Sequence, residues 1–236
     1  MKYAVPCMKC VFNEVQNYDY NFIEMNDSGF YKFECSQGHE NALVLQDEKF
    51  EILFDLGALA LIDGYAREAV SSFAASIERF YEFFINVIVH KEGIDPEEFK
   101  KTWKNVKNQS ERQLGAFYFL YLTVYKEVPP IIKPKLVEFR NNVIHKGYIP
   151  TYEETYNYGL EIYNYIKKLL ILLRVDYKEE IMMVDVRRRM AIQSQNTSVT
   201  SLSHMFQMVL ADHLFNERTF EDAFTELADK PGLYRR

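Results

Sequence analysis

The hydrophobic pattern of this 236-residue chain changes period near residue 47, and that change limits the folds open to it. Before it, short runs such as Phe22-Ile23, Phe30-Tyr31-Lys32-Phe33 and Ala42-Leu43-Val44-Leu45 favour strands. Asn26-Asp27-Ser28-Gly29 predicts a hairpin turn between the first two. After it, apolar residues recur at helical spacing through Phe50–Leu61 and Ala66–Val89. Asp63-Gly64 punctuates these two helices, and Asp95-Pro96-Glu97-Glu98 reads as a capped helix start. Gln113–Tyr125 is a further apolar stretch. Pro134 can open a helix carrying Leu136–His145, which Gly147-Tyr148-Ile149-Pro150 breaks. Thr151, followed by Glu153 and Glu154, caps a long helix over Tyr152–Arg174.

Beyond residue 175, helices are expected over Ile181–Ile192, His204–Phe215 and Phe220–Ala228. The polar stretch Gln193–Ser203 reads as a linker or loop. The expected architecture is mainly α: a small β segment over residues 1–46, a helical domain over 47–174 and a C-terminal helical extension over 175–236. A 48% hydrophobic and 15% aromatic composition supplies a core and excludes disorder for the bulk. Charges interrupt even Phe80–His90, so no membrane span is expected. The first ten residues carry Lys2 but no long apolar core, unlike a secretory signal, so a cytoplasmic setting is expected.

In a reducing compartment, a Cys-x-x-Cys points to metal or redox chemistry rather than a structural disulfide. The β segment holds Cys7-Met8-Lys9-Cys10 and then Cys35-Ser36-Gln37-Gly38-His39. Two thiolates on one tight turn, with a thiolate and an imidazole on another, make the four tetrahedral ligands of a structural zinc site. All three cysteines of the chain are used. Four protein ligands leave no open position for catalysis, and a segment this small needs such a brace. The other reading is an incidental or redox-active Cys-x-x-Cys with His39 on the surface. Residues 5–45 resemble zinc ribbons of the C-x-x-C…C-x-x-G-H kind.

A second constellation, Arg140-Asn141-Asn142-Val143-Ile144-His145, follows the apolar run Leu136, Val137 and Phe139. RNA cleavage without a metal needs a base for the 2′-hydroxyl, an acid for the leaving oxygen and a cation for the charged phosphorane. His145 suits proton transfer near neutrality, and Arg140 grips phosphate in two-point fashion. Asn141 can bond the phosphate or orient the imidazole. Five helical residues place Arg140 and His145 about 140° apart, so either the helix ends near His145 or a second subunit completes the site. The structural alternative pairs Arg140 with an acid such as Glu138 or Glu161 and leaves His145 at a helix end.

Arg140, Asn141 and His145 in this helical setting resemble the HEPN family, whose hallmark is R-x(4–6)-H with a polar residue after the Arg. The resemblance covers about residues 48–174. It implies a four- or five-helix up-and-down bundle that dimerises with the two motifs facing one cleft. It also implies metal-independent endoribonuclease activity, often in toxins or antiviral defence effectors.

The sequence pI of about 5.5 speaks against nucleic acid covering the whole surface. The charge is uneven, however. Residues 100–146 carry ten Lys/Arg against three Asp/Glu, a net of +7, whereas residues 1–99 net −11. Lys133, Lys135 and Lys146 are the candidate phosphate contacts in that block, although a solvated helix face explains such lysines too. No Walker loop, G-x-G-x-x-G, HExxH or nucleophile elbow is present, which weighs against nucleotide-dependent and protease chemistry. Two further classes stay open: a non-catalytic RNA-binding or regulatory protein of the same fold, and an adaptor docking a protein partner through its tyrosine-rich helix or C-terminal segment.

Overall fold

The computed structural model describes residues 2–13, 20–192, 197–230 and 234–235. The chain opens with strand β1 (Lys2–Val5), the short helix α1 (Met8–Phe12) and strands β2 (Asn21–Glu24), β3 (Phe30–Glu34) and β4 (Glu40–Leu45). Helices α2 (Lys49–Ile62), α3 (Ala66–Lys91), α4 (Pro96–Trp103), α5 (Ser110–Tyr125), α6 (Pro134–Lys146), α7 (Tyr152–Asp176) and α8 (Lys178–Met190) follow. Strand β5 (Thr197–Thr200), helices α9 (Asp212–Glu217) and α10 (Phe220–Ala228), and strand β6 (Tyr234–Arg235) complete the order. Among the described residues, no helix is long and apolar enough to cross a membrane.

The helix limits follow from local chemistry. Asp95 accepts from the N–H groups of Glu97 and Glu98, with Pro96 in the first turn of α4. Thr151 and Glu154 form a reciprocal capping box at the start of α7. Gly147 ends α6 at φ +73°, a conformation that costs glycine nothing.

α3 is the central helix and packs against α2, α4, α5, α6, α7 and α8. Its Phe73, Phe80, Phe84, Val87 and Ile88 are fully buried. Gly57 on α2 and Gly159 on α7 both face the Phe73 ring, where a Cβ would sit within 3 Å of it. Two helices thus close on one aromatic ring.

The turn at Asn26–Gly29 forms, with the Ser28 N–H donating to Asn26 Oδ1 at 2.9 Å and Gly29 at φ +64°. It does not make the expected hairpin. β2 pairs with β1, Tyr3 opposite Ile23, and β3 pairs with β4, so the turn joins two sheets. Partners supplied from elsewhere in the chain outcompete the sequence-adjacent pairing.

The C-terminal segment also departs from expectation. β5 lies within the stretch expected as a linker and pairs in parallel with β4, Leu43 opposite Ser198; residues 193–196 of that stretch lie outside the described residues. β6 pairs antiparallel with β1. α9 begins at Asp212 rather than His204, because carboxylates of α2 and its approach take the intervening N–H groups. Asp47 accepts from Ser201 and Leu202, Asp55 from His204 and Met205, and Glu51 from Met208. These bonds satisfy three buried acids. Burial nevertheless pushes the Asp47 carboxyl up, and burial with Asp47 alongside pushes Glu51 well up.

Candidate functional site

The Cys/His residues meet at one point. Cys7 precedes α1 and Cys10 lies in its first turn, so both thiols face the same way. Cys35 and His39 bracket the β3–β4 turn. There the Cys35 N–H donates to the His39 carbonyl and the Gly38 N–H to the Cys35 carbonyl, with Gly38 at φ +75°. The Asn41 side-chain amide holds the His39 carbonyl at 2.8 Å. The hairpin that presents this pair is therefore β3–β4, not the one expected across Asn26–Gly29.

The four ligand atoms lie within 4.8 Å of one another. Cys10 Sγ is 3.9 Å from Cys35 Sγ and 3.3 Å from His39 Nδ1, and Cys7 Sγ is 3.7 Å from His39 Nδ1. Tetrahedral bonds of about 2.3 Å to sulfur and 2.0 Å to nitrogen give ligand–ligand edges of about 3.5–3.8 Å. The cluster matches that size, and all three thiols are free and buried.

Burial raises the Cys7 thiol, but donors around it, led by the Cys10 N–H and the Asn41 amide, outweigh this and lower it to about 6. Burial and its two neighbouring thiols push Cys10 up to about 12. Three crowded sulfurs ionise together only beside a cation. The four residues can hold one metal ion.

The second constellation lies wholly on α6. Arg140 donates to Glu78 Oε1 on α3 at 3.0 Å and to Asn141 Oδ1 at 2.9 Å. The acid beside Arg140 is thus Glu78, neither Glu138 nor Glu161. Arg140, Asn141 and Glu78 line a cleft of about 180 Å³ between α3, α5, α6 and α7, walled by Ile77, Leu136 and Tyr158. A shallower groove of about 510 Å³ lies on the other side of Asn141, with Tyr118, Ile131, Val137 and Lys146.

α6 stays regular through Lys146, so His145 keeps the angular offset from Arg140 that the spacing implies. His145 is exposed and lines neither opening. One copy of the chain does not bring Arg140 and His145 together.

Of the candidate phosphate contacts, Lys133 is held by both oxygens of Glu161 on α7. Lys135 and Lys146 are exposed and have no ion-pair partner among the described residues. Lys100 and Lys101 pair with Glu97 and Glu98 on α4. Of the tyrosines on α7, Tyr156 packs on Phe220 and Phe224, and Tyr163 stacks on Phe206 at 4.9 Å. That face is covered by the chain's own C-terminal segment. Arg188 donates to the carbonyls of Leu45 and Gln46 and fastens α8 to the β4–α2 junction.

Glu78 is the site residue that sequence reasoning missed, and Tyr158 stands out in the sequence only as one tyrosine of the tyrosine-rich helix. Neither sits at a motif spacing; only the packing of α3 and α7 against α6 brings them to Arg140. No protein-family model, curated protein or solved structure matches the chain.

Proposed function

We propose that this chain is a metal-independent endoribonuclease of HEPN-like type, working as a homodimer in the cytoplasm, with zinc in the Cys7/Cys10/Cys35/His39 cluster as a structural brace. The observation that carries the reading is the arrangement on α6. Arg140 and Asn141 line a cleft while His145 stands exposed on another face, so a cutting site needs a second copy. Support for such a contact comes from the surface around the motif. Ile131, Val137 and Ile149 are 61%, 46% and 80% exposed, an apolar surface flanking the motif that a partner copy would cover.

In a shared cleft, the imidazole of one His145 takes the proton of the RNA 2′-hydroxyl as its oxygen attacks phosphorus. The imidazolium so formed gives that proton to the 5′-oxygen as the P–O bond breaks, with the partner's Arg140 across the cleft, so that a dimer holds two such sites. Arg140 leaves Glu78 to hold the charged phosphorane, and Asn141 fixes the phosphate. Lys135 and Lys146 steer the backbone, and Lys133 can join them by leaving Glu161. The products are a 2′,3′-cyclic phosphate and a 5′-hydroxyl. Purified protein is expected to cut RNA with EDTA added only for the assay. His145→Ala should abolish cutting with the circular-dichroism spectrum unchanged; cutting that survives the substitution removes the assignment.

A non-catalytic RNA-binding role has one observation on its side. Both side-chain hydrogen-bond partners of Arg140 among the described residues are internal, which suits a brace between α3 and α6 as well as a poised clamp.

A further inference from the structure

We propose that the cleft beside Arg140 is the base-reading half of the RNA site and takes a guanine, an inference that rests on the RNA-cleaving reading above. The cleft is a slot of about 180 Å³, well under the 300–1,000 Å³ usual for drug-sized ligands and suited to a single flat ring system. Its walls are apolar, with Ile77, Leu114 and Leu136 among them, and would sandwich a base.

The polar groups inside it are few and distinct. Glu78 gives Oε1 to Arg140 and leaves Oε2 without a hydrogen bond among the described residues. Tyr158 is 4% exposed, neighbours both Arg140 and Glu78, and its hydroxyl has no hydrogen-bond partner among the described residues. A buried phenol that lines an opening and lacks a partner is a donor awaiting an acceptor.

These groups match one base. When Arg140 turns to the phosphate, both oxygens of Glu78 become acceptors. Of the four RNA bases, only guanine offers two adjacent N–H donors, N1–H and the 2-amino group, with a carbonyl oxygen beside them. Glu78 takes the two donors and the Tyr158 hydroxyl donates to O6. Adenine and cytosine each present a ring acceptor beside their amino group, which a carboxylate repels. Uracil presents one donor between two acceptors. Glu111 at the rim adds a second carboxylate, so the slot favours an N–H-rich edge over a bare anion.

The test is binding of 3′-mononucleotides to the purified full-length protein, measured by calorimetry with no cleavage involved. Guanosine 3′-monophosphate should bind about tenfold tighter than the adenosine, cytidine and uridine forms, within the range a bidentate base contact gives. Glu78→Gln should erase that preference. Inosine 3′-monophosphate, which lacks the 2-amino group, should bind the unaltered protein more weakly than the guanosine form, and this comparison needs no variant to fold. Equal affinity for all four bases, equal affinity for guanosine and inosine forms, or no binding at all overturns the proposal. RNA cutting that persists without base preference would then leave the endoribonuclease reading standing by itself.

Discussion

The Cys/His cluster and the α6 motif are both short runs of chemically able residues, and they differ in how much of a site one chain supplies. The cluster is complete within the chain. Two tight turns bring four ligands to tetrahedral spacing, and all three thiols are buried. The motif is incomplete: α6 fixes Arg140 and His145 on different faces, and the acid that holds Arg140 comes from a different helix. A site built from turns can converge within thirty or so residues of sequence. A site built along one straight helix diverges with its own period and needs another surface to close it.

The largest expected effect lies at the complete site. Cys10→Ala, or chelation of the ion from the unaltered protein, should lower stability by several kcal/mol, roughly ten degrees in Tm for a chain of this size. The unaltered protein should carry one zinc per chain by atomic emission and the variant none. A variant with unchanged Tm and unchanged metal content would remove the structural role of the cluster.

The effect at the incomplete site should be small for stability. Arg140→Ala removes a half-buried ion pair with Glu78, worth about 1 kcal/mol or less, so thermal unfolding should shift by only a few degrees. RNA affinity should fall clearly in the same variant, read from a fluorescence titration. A large loss of stability with RNA affinity intact would make Arg140 a brace rather than a clamp and would erase the contrast between the two regions.

Much of the helical fold was legible because its signals are local. Asp95-Pro96, Thr151 with Glu154, and Gly147 each act within one turn of where they stand, and each marks the expected boundary. The Cys/His cluster was legible for the same reason: each pair sits on its own turn. The sheets were not, because β5 and β6 reach β4 and β1 from the far end of the chain. The acids at the start of α2 were no more legible. Asp47, Glu51 and Asp55 carry no local signal of burial, yet they are buried and bind the backbone of residues 202–208. Glu78 and Tyr158 belong with them, since nothing in their local sequence announces a cleft that four helices form together.

The proposed cutting site is shared between two copies, and mixing two inactive proteins tests that directly. Arg140→Ala and His145→Ala should each fail to cut RNA alone. Mixed in equal amounts and allowed to exchange subunits, half of the dimers would pair an intact Arg140 with an intact His145 across one of their two sites, returning about a quarter of the unaltered activity. Recovery at that level is the predicted result. Two active-when-unaltered proteins that stay inactive after exchange would show that Arg140 and His145 do not work across a subunit boundary.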